Sequence, residues 1–240
     1  MNITNKEVLR ENAMNEFDKA VNYFEGLEMM KYGDIDIETT MVIVMDLNKG
    51  FAKGGNLYSP FVEALIPGIG KFVIMFTKDG GIVAAFTDCH QKNSPELKQY
   101  PEHCIDGTNE TELVDELQIE NIIIIEKNCT NGFLSQNPLE ILGEIVKENL
   151  DKIKTVIVTG DCTDLCDKRF ALTIKEYANE VNRELDVIVV EEMVDTFDIP
   201  GVHDREYEHV MALYDMQKNG IIVVKGIEYE DEIENIEQDV

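Results

Sequence analysis

An α/β fold is predicted: a three-layer sandwich with a six-stranded mostly parallel sheet flanked by helices, Rossmann-like in build. Two patterns predict it. Short blocks dense in β-branched residues recur at 41–46, 82–88, 121–126, 155–160, 186–191 and 221–225, and longer segments with helical spacing of apolar residues run between them. Continuous apolar blocks read as strands covered on both faces, and alternation with helices reads as a parallel sheet between two helix layers.

In chain order, residues 1–38 come first, polar but with Phe17, Val21, Phe24 and Leu27 spaced as on an amphipathic helix. They read as a helical N-terminal extension. The run Lys71-Phe-Val-Ile-Met-Phe76 suits a buried strand or a buried helix face; helix is preferred over 69–78, because Asp79-Gly80-Gly81 follows. Glycine takes the left-handed conformation that ends helices. Further helices are expected near 110–117, 138–149, 166–183 and 204–219. Residues 39–227 then form one domain, and 228–240 an acidic C-terminal tail.

Composition narrows the function classes. The chain has 240 residues, 44% hydrophobic, enough for a substantial core. Its formal charge of −27 repels phosphate backbones and anionic lipid surfaces, so no nucleic acid and no membrane partner is expected. No uninterrupted apolar run reaches the roughly 18 residues of a membrane span, and no basic start with an apolar block opens the chain. A cytoplasmic location is expected. The five cysteines, 89, 104, 129, 162 and 166, form no secreted disulfide framework and should be mostly free thiols.

The residues that could carry chemistry stand out by position. Asp46, Asp88, Lys127 and Cys166 each lie at or just after the C-terminal end of a different predicted strand. In a parallel sheet those ends share one edge, where open α/β sheets bind ligands. Cys166 opens a predicted helix, whose unpaired N–H groups and positive dipole end favour thiolate; the bland alternative is a small buried cysteine. Asp46 is a plausible proton acceptor and later donor, or else a loop cap. Lys127 can stabilise negative charge, or is a strand-end lysine whose head reaches solvent. Asp88, His90 and His103 fall in one loop, and two imidazoles with a carboxylate are typical ligands of a divalent transition metal; they are otherwise plain polar loop residues.

Three motifs in this set resemble the isochorismatase-like cysteine hydrolase superfamily, in its nicotinamidase/pyrazinamidase branch, over roughly residues 41–225. Met45-Asp-Leu-Asn-Lys-Gly-Phe51 is similar to the family's Asp-x-Gln-Asn-Asp-Phe, and Val158-Thr-Gly-Asp-Cys-Thr-Asp-Leu-Cys166 to its Gly-x-Ala-Thr-Asp-x-Cys. Asp88-x-His90, with Tyr100-Pro-Glu-His-Cys-Ile-Asp-Gly-Thr108, is similar to the branch's metal loop. The resemblance implies a catalytic set of Asp46, Lys127 and Cys166, and an oxyanion hole from the backbone N–H groups of Cys162 and Cys166, with a cis peptide between Asp161 and Cys162. It implies a divalent metal ion (zinc, iron or manganese) on Asp88, His90 and His103, with Glu96, eight residues after Asp88, as a further metal contact. Phe51 and Tyr100 would sandwich the substrate ring.

The implied activity is a nicotinamidase of NAD salvage, converting nicotinamide and water to nicotinate and ammonia through a thioester. Two alternatives stay open: a superfamily hydrolase of another small amide, and a weakened small-molecule binding protein. The second arises because Asp161 and Asp167 stand where apolar residues are usual, and negative charge there would oppose thiolate formation. His209 reads as a helix-packing histidine. A small-molecule amide is the expected partner, and a homo-oligomer is left open.

Overall fold

The computed structural model describes residues 5–135 and 152–230. Six strands form one sheet: β1 Thr40–Met45, β2 Ile82–Asp88, β3 Ile123–Lys127, β4 Thr155–Asp161, β5 Asp186–Asp195 and β6 Ile222–Val224. Their spatial order is β3-β2-β1-β4-β5-β6, and every neighbouring pair is parallel. The expected sheet is therefore present, wholly parallel among the described residues. This order reverses direction between β1 and β4, and that switch point opens a crevice beyond the strands' carboxyl ends.

Strand β1 explains why the sheet lies inside. All six of its residues are buried. Val42 and Val44 pack with Phe72 and Phe76 on one face, while Met41, Ile43 and Met45 pack with Phe170 and Met216 on the other. Each fully buried large apolar side chain contributes about 1.5–3 kcal/mol.

The helices are α1 Lys6–Glu25, α2 Ile66–Lys78, α3 Lys168–Glu180 and α4 Arg205–Lys218, with shorter turns between them. The segment read as helix at 69–78 is helical, and begins earlier at Ile66. Among the described residues the helical stretch Pro60–Lys78 is long and apolar enough, by length and composition, to cross a membrane. Its apolarity has a use in this fold: Ile66, Ile69, Phe72, Val73 and Phe76 are buried in the core on one face of the sheet.

Helix α1 is capped by Asn5, whose Oδ1 accepts from Glu7 N at 2.9 Å. It lies against α4, with Phe17 stacked on Tyr207 at 5.5 Å and Lys218 Nζ 3.2 Å from Glu16. Met30 and Lys31 then pair in parallel with Ile227 and Glu228. The first and last parts of the described chain are thus joined.

Four sequence expectations need correction or restriction. Residues 110–117 form two separate 3-10 turns, Asn109–Thr111 and Asp115–Leu117, in place of a helix. Tertiary pairing wins there: Lys49 N donates to Glu112 O at 2.8 Å and Val114 N to Leu47 O at 3.0 Å, which pulls Leu113 and Val114 into the core. Helix α3 starts at Lys168, because residues Thr163–Asp167 form a wide π-type turn. The helix expected at 138–149 lies outside the described residues, as does most of the acidic tail.

Candidate active site

Asp88 and Lys127 are the last residues of β2 and β3, and the parallel register places them directly side by side. Asp46 follows β1 with a left-handed φ of 51°, its N–H donating to Phe86 O at 2.9 Å. That backbone is uncommon outside glycine, though aspartate tolerates it better than most residues. Across the switch point, Gly160 (φ 119°) lets β4 approach closely: a Cβ there would meet Met45 O at 2.0 Å. The chain then passes through Asp161 and a cis Asp161–Cys162 peptide into the π-type turn that holds Cys166.

These elements bring Asp46, Lys127 and Cys166 together. Lys127 Nζ lies 2.7 Å from Asp46 Oδ2 and 3.8 Å from Cys166 Sγ, and it also pairs with Asp88 Oδ1. All four side chains are buried. Burial alone would discharge Lys127, but the carboxylates of Asp46 and Asp88 outweigh it and hold the ammonium well above its usual range. For Asp46, burial and the charge of Asp88 outweigh Lys127 and raise its value to about 7. Such a group accepts and returns a proton near neutral pH. Cys166 is pushed well up, by burial first and by Asp46 and Asp88, against the pull of Lys127. Burial and these carboxylates thus favour the thiol over the thiolate. Cys166 lies in the π-type turn that leads into α3, and the neighbouring carboxylates oppose the thiolate that a helix N-terminus would favour.

Asp88, His90 and His103 form a second group, with ligand atoms all within 4.8 Å of one another. His90 Nδ1 faces Asn128 Oδ1 at 3.2 Å, and His103 Nδ1 faces Pro101 O at 2.7 Å. Each Nδ1 therefore carries the proton when the ring is neutral, which leaves the Nε2 lone pairs available. Such outer partners orient imidazole ligands. His90 Nε2 is buried without a hydrogen-bond partner. An orphaned acceptor beside a second imidazole and a carboxylate fits a divalent transition metal. Glu96 stands outside this cluster and accepts from Thr130 Oγ1 at 3.4 Å.

Both groups border one cavity of about 380 Å³, whose walls include Asp46, Asp88, His103, Cys162 and Cys166. Phe51, Glu96 and Tyr100 line it as well, and the Phe51 and Tyr100 rings lie 5.6 and 6.4 Å from that of His103.

A match to the isochorismatase domain family model spans residues 40–228. The chain belongs to the isochorismatase family. It is a hydrolase of that family, similar to Nicotinamidase 1 of Arabidopsis thaliana, with 29% identity over 79% of this chain and 86% of the relative. Two solved structures share its fold at 25% identity. The zinc complex of Pyrococcus horikoshii pyrazinamidase has a TM-score of 0.63, covering 78% of this chain and 99% of that one. N-carbamoylsarcosine amidase of Thermoplasma acidophilum has a TM-score of 0.62, covering 82% and 99%.

Sequence reasoning missed several residues of this isochorismatase-family site. Asn48 Nδ2 donates to Asp88 O at 2.9 Å and so ties the segment after β1 to the end of β2. Asn128, next to Lys127, orients His90. Phe197, Ile199, Val202 and His203 also wall the cavity. His203 Nε2 lies 3.0 Å from Asp164 Oδ2, and Thr196 Oγ1 donates to Asp164 Oδ1 at 2.7 Å. Asp164 within the cysteine motif was the available signal, but its partners come from distant sequence. His209 is buried with its Nδ1 2.9 Å from Thr163 Oγ1, in a packing position away from the cavity wall.

Proposed function

We propose that the protein is a cysteine-dependent amidohydrolase acting on nicotinamide, which it converts to nicotinate and ammonia. One observation carries the reading. Lys127 joins Asp46 and Cys166 at one wall of a cavity that also borders the Asp88, His90 and His103 cluster. The likeness to a nicotinamidase supports the substrate.

In this reading Asp46 takes the thiol proton of Cys166 as the sulfur attacks the carboxamide carbon. The backbone N–H groups of Cys162 and Cys166 receive the developing oxyanion, and Lys127 balances the negative charge. The C–N bond breaks as Asp46 returns its proton to the departing ammonia. A water molecule, deprotonated by Asp46, then cleaves the thioester and frees the carboxylate and the thiol. Phe51 and Tyr100 hold the ring between them. Zinc, iron or manganese on Asp88, His90 and His103 would supply a Lewis acid for the ring nitrogen, with Glu96 an outer contact.

The cellular role that goes with this reading is NAD salvage in the cytoplasm, with five free thiols in support of a reducing compartment. The hydrolase domain is assigned to 39–227, between the helical extension 1–38 and the acidic tail 228–240. Ammonia release from nicotinamide and from a panel of other small amides tests the reading. Wild type should act on nicotinamide, Cys166→Ala should not, and chelation should weaken turnover until metal is restored. Activity confined to other amides would contradict the substrate, and activity on no amide would contradict the enzyme.

A further inference from the structure

Four buried aspartates, 46, 88, 161 and 167, gather at the sheet's carboxyl edge around Lys127, the one buried lysine or arginine among the described residues. Lys127 pairs with Asp46 and Asp88. No ion pair reaches Asp161 among the described residues, although it lines the cavity beside Asp46, Cys162 and Cys166. Its Oδ2 accepts from Cys162 Sγ at 3.4 Å, and its Oδ1 is buried with no partner. A carboxylate in that position would lack a cation and stand beside the oxyanion the reaction must form. A carboxylic acid would instead offer an O–H donor.

We propose that the carboxyl O–H of Asp161 donates a hydrogen bond to the carbonyl oxygen of the amide as that oxygen gains charge. It acts alongside the N–H groups of Cys162 and Cys166, which makes Asp161 a catalytic residue. This rests on the amidohydrolase reading and deepens it. The groups that bear on Asp161 are Asp46 after β1, Asp88 ending β2, and Asp167 and the Cys162 thiol in the turn. Burial first, reinforced by the charge of Asp46, pushes Asp161 well above the usual carboxylate range, which keeps the donor proton in place. A neutral buried acid serving as an oxyanion donor has precedent in ketosteroid isomerase chemistry. The proton is not transferred: the thiol proton still goes to Asp46, and the S–C bond forms as before.

Asp161→Asn keeps a donor that cannot ionise, whereas Asp161→Leu keeps bulk without a donor. Asp161→Leu should lower kcat by about 10²–10³-fold with KM little changed, and Asp161→Asn should stay within about tenfold of wild type. Asp161→Leu as fast as wild type, or Asp161→Asn as slow as Asp161→Leu, would overturn the proposal. A second probe needs no turnover. Cys166 sulfur adds reversibly to the carbon of pyridine-3-carboxaldehyde, and the thiol proton ends on the new hydroxyl. The adduct should weaken about tenfold or more in Asp161→Leu and persist in Asp161→Asn. Equal adducts in all three proteins, or none in wild type, also overturn it. Wild type inactive on every amide would break the amidohydrolase reading alone, since the aldehyde still reports on Asp161.

Discussion

Asp88 and Asp161 end neighbouring regions of the same sheet edge, both buried, and they meet opposite fates. Burial works to raise both. At Asp88 the charge of Lys127 leads the groups that overcome it and hold the carboxyl well below its usual range. At Asp161 no cation stands near among the described residues, so burial and the charge of Asp46 act together. Depth does not set ionisation here; the placement of one ammonium does. The β1–β3 half of the edge is built for charge, and the β4 half for neutral donors.

The largest break in this contrast comes from removing the ammonium. Lys127→Ala leaves Asp46 and Asp88 buried without their cation, and breaking a buried pair from one side costs about 3–5 kcal/mol. Urea denaturation should show that loss, together with abolished amide hydrolysis; a change under about 1 kcal/mol would mean the two carboxyls are already neutral.

A smaller effect follows from Asp46. It must be ionised to accept the thiol proton, and its value is raised to about 7. The rate constant kcat/KM should therefore fall about tenfold per pH unit below neutrality. An acid limb centred near pH 4 would assign the base elsewhere.

The smallest effect separates the two halves through stability. Asp167 is buried with neither oxygen partnered, and burial and the charges of Asp46 and Asp164 raise it well above the reference value of 3.8. A carboxyl raised on folding contributes fully below its unfolded value, and that contribution is lost as pH rises toward the folded one. Asp167→Asn escapes this loss. The variant's stability relative to wild type should improve steadily from pH 4 to pH 8 in denaturant unfolding. A difference constant with pH would contradict a neutral Asp167.

Much of this edge is legible in the sequence. Apolar blocks closing on Asp46, Asp88 and Lys127 announce both strands and strand ends, because a buried strand admits a charged residue only where it emerges at the crevice. The Asp88–Lys127 pairing is not legible, since it depends on the register between β2 and β3. The same holds for the wall from Phe197 to His203. Strand β5 was expected to stop at 191 but runs on to Asp195, past a register shift at Val158/Gly160, and this sets where that wall stands. Helical patterning at 110–117 misleads for a related reason, because contacts with residues 47–49 override local preference. Asp161 and Asp167 read from sequence as threats to the thiolate. Both are buried without a cation, which favours their neutral forms, and neutral acids would add no negative charge beside Cys166.

Rapid quenching of wild type during nicotinamide turnover, followed by intact-mass analysis, asks whether Cys166 attacks the amide carbon. A transient nicotinoyl thioester should map to Cys166, be intercepted by hydroxylamine as the hydroxamate, and be absent from Cys166→Ala. Ammonia release by Cys166→Ala at the wild-type rate, or turnover with no acyl adduct and no hydroxamate, would contradict it.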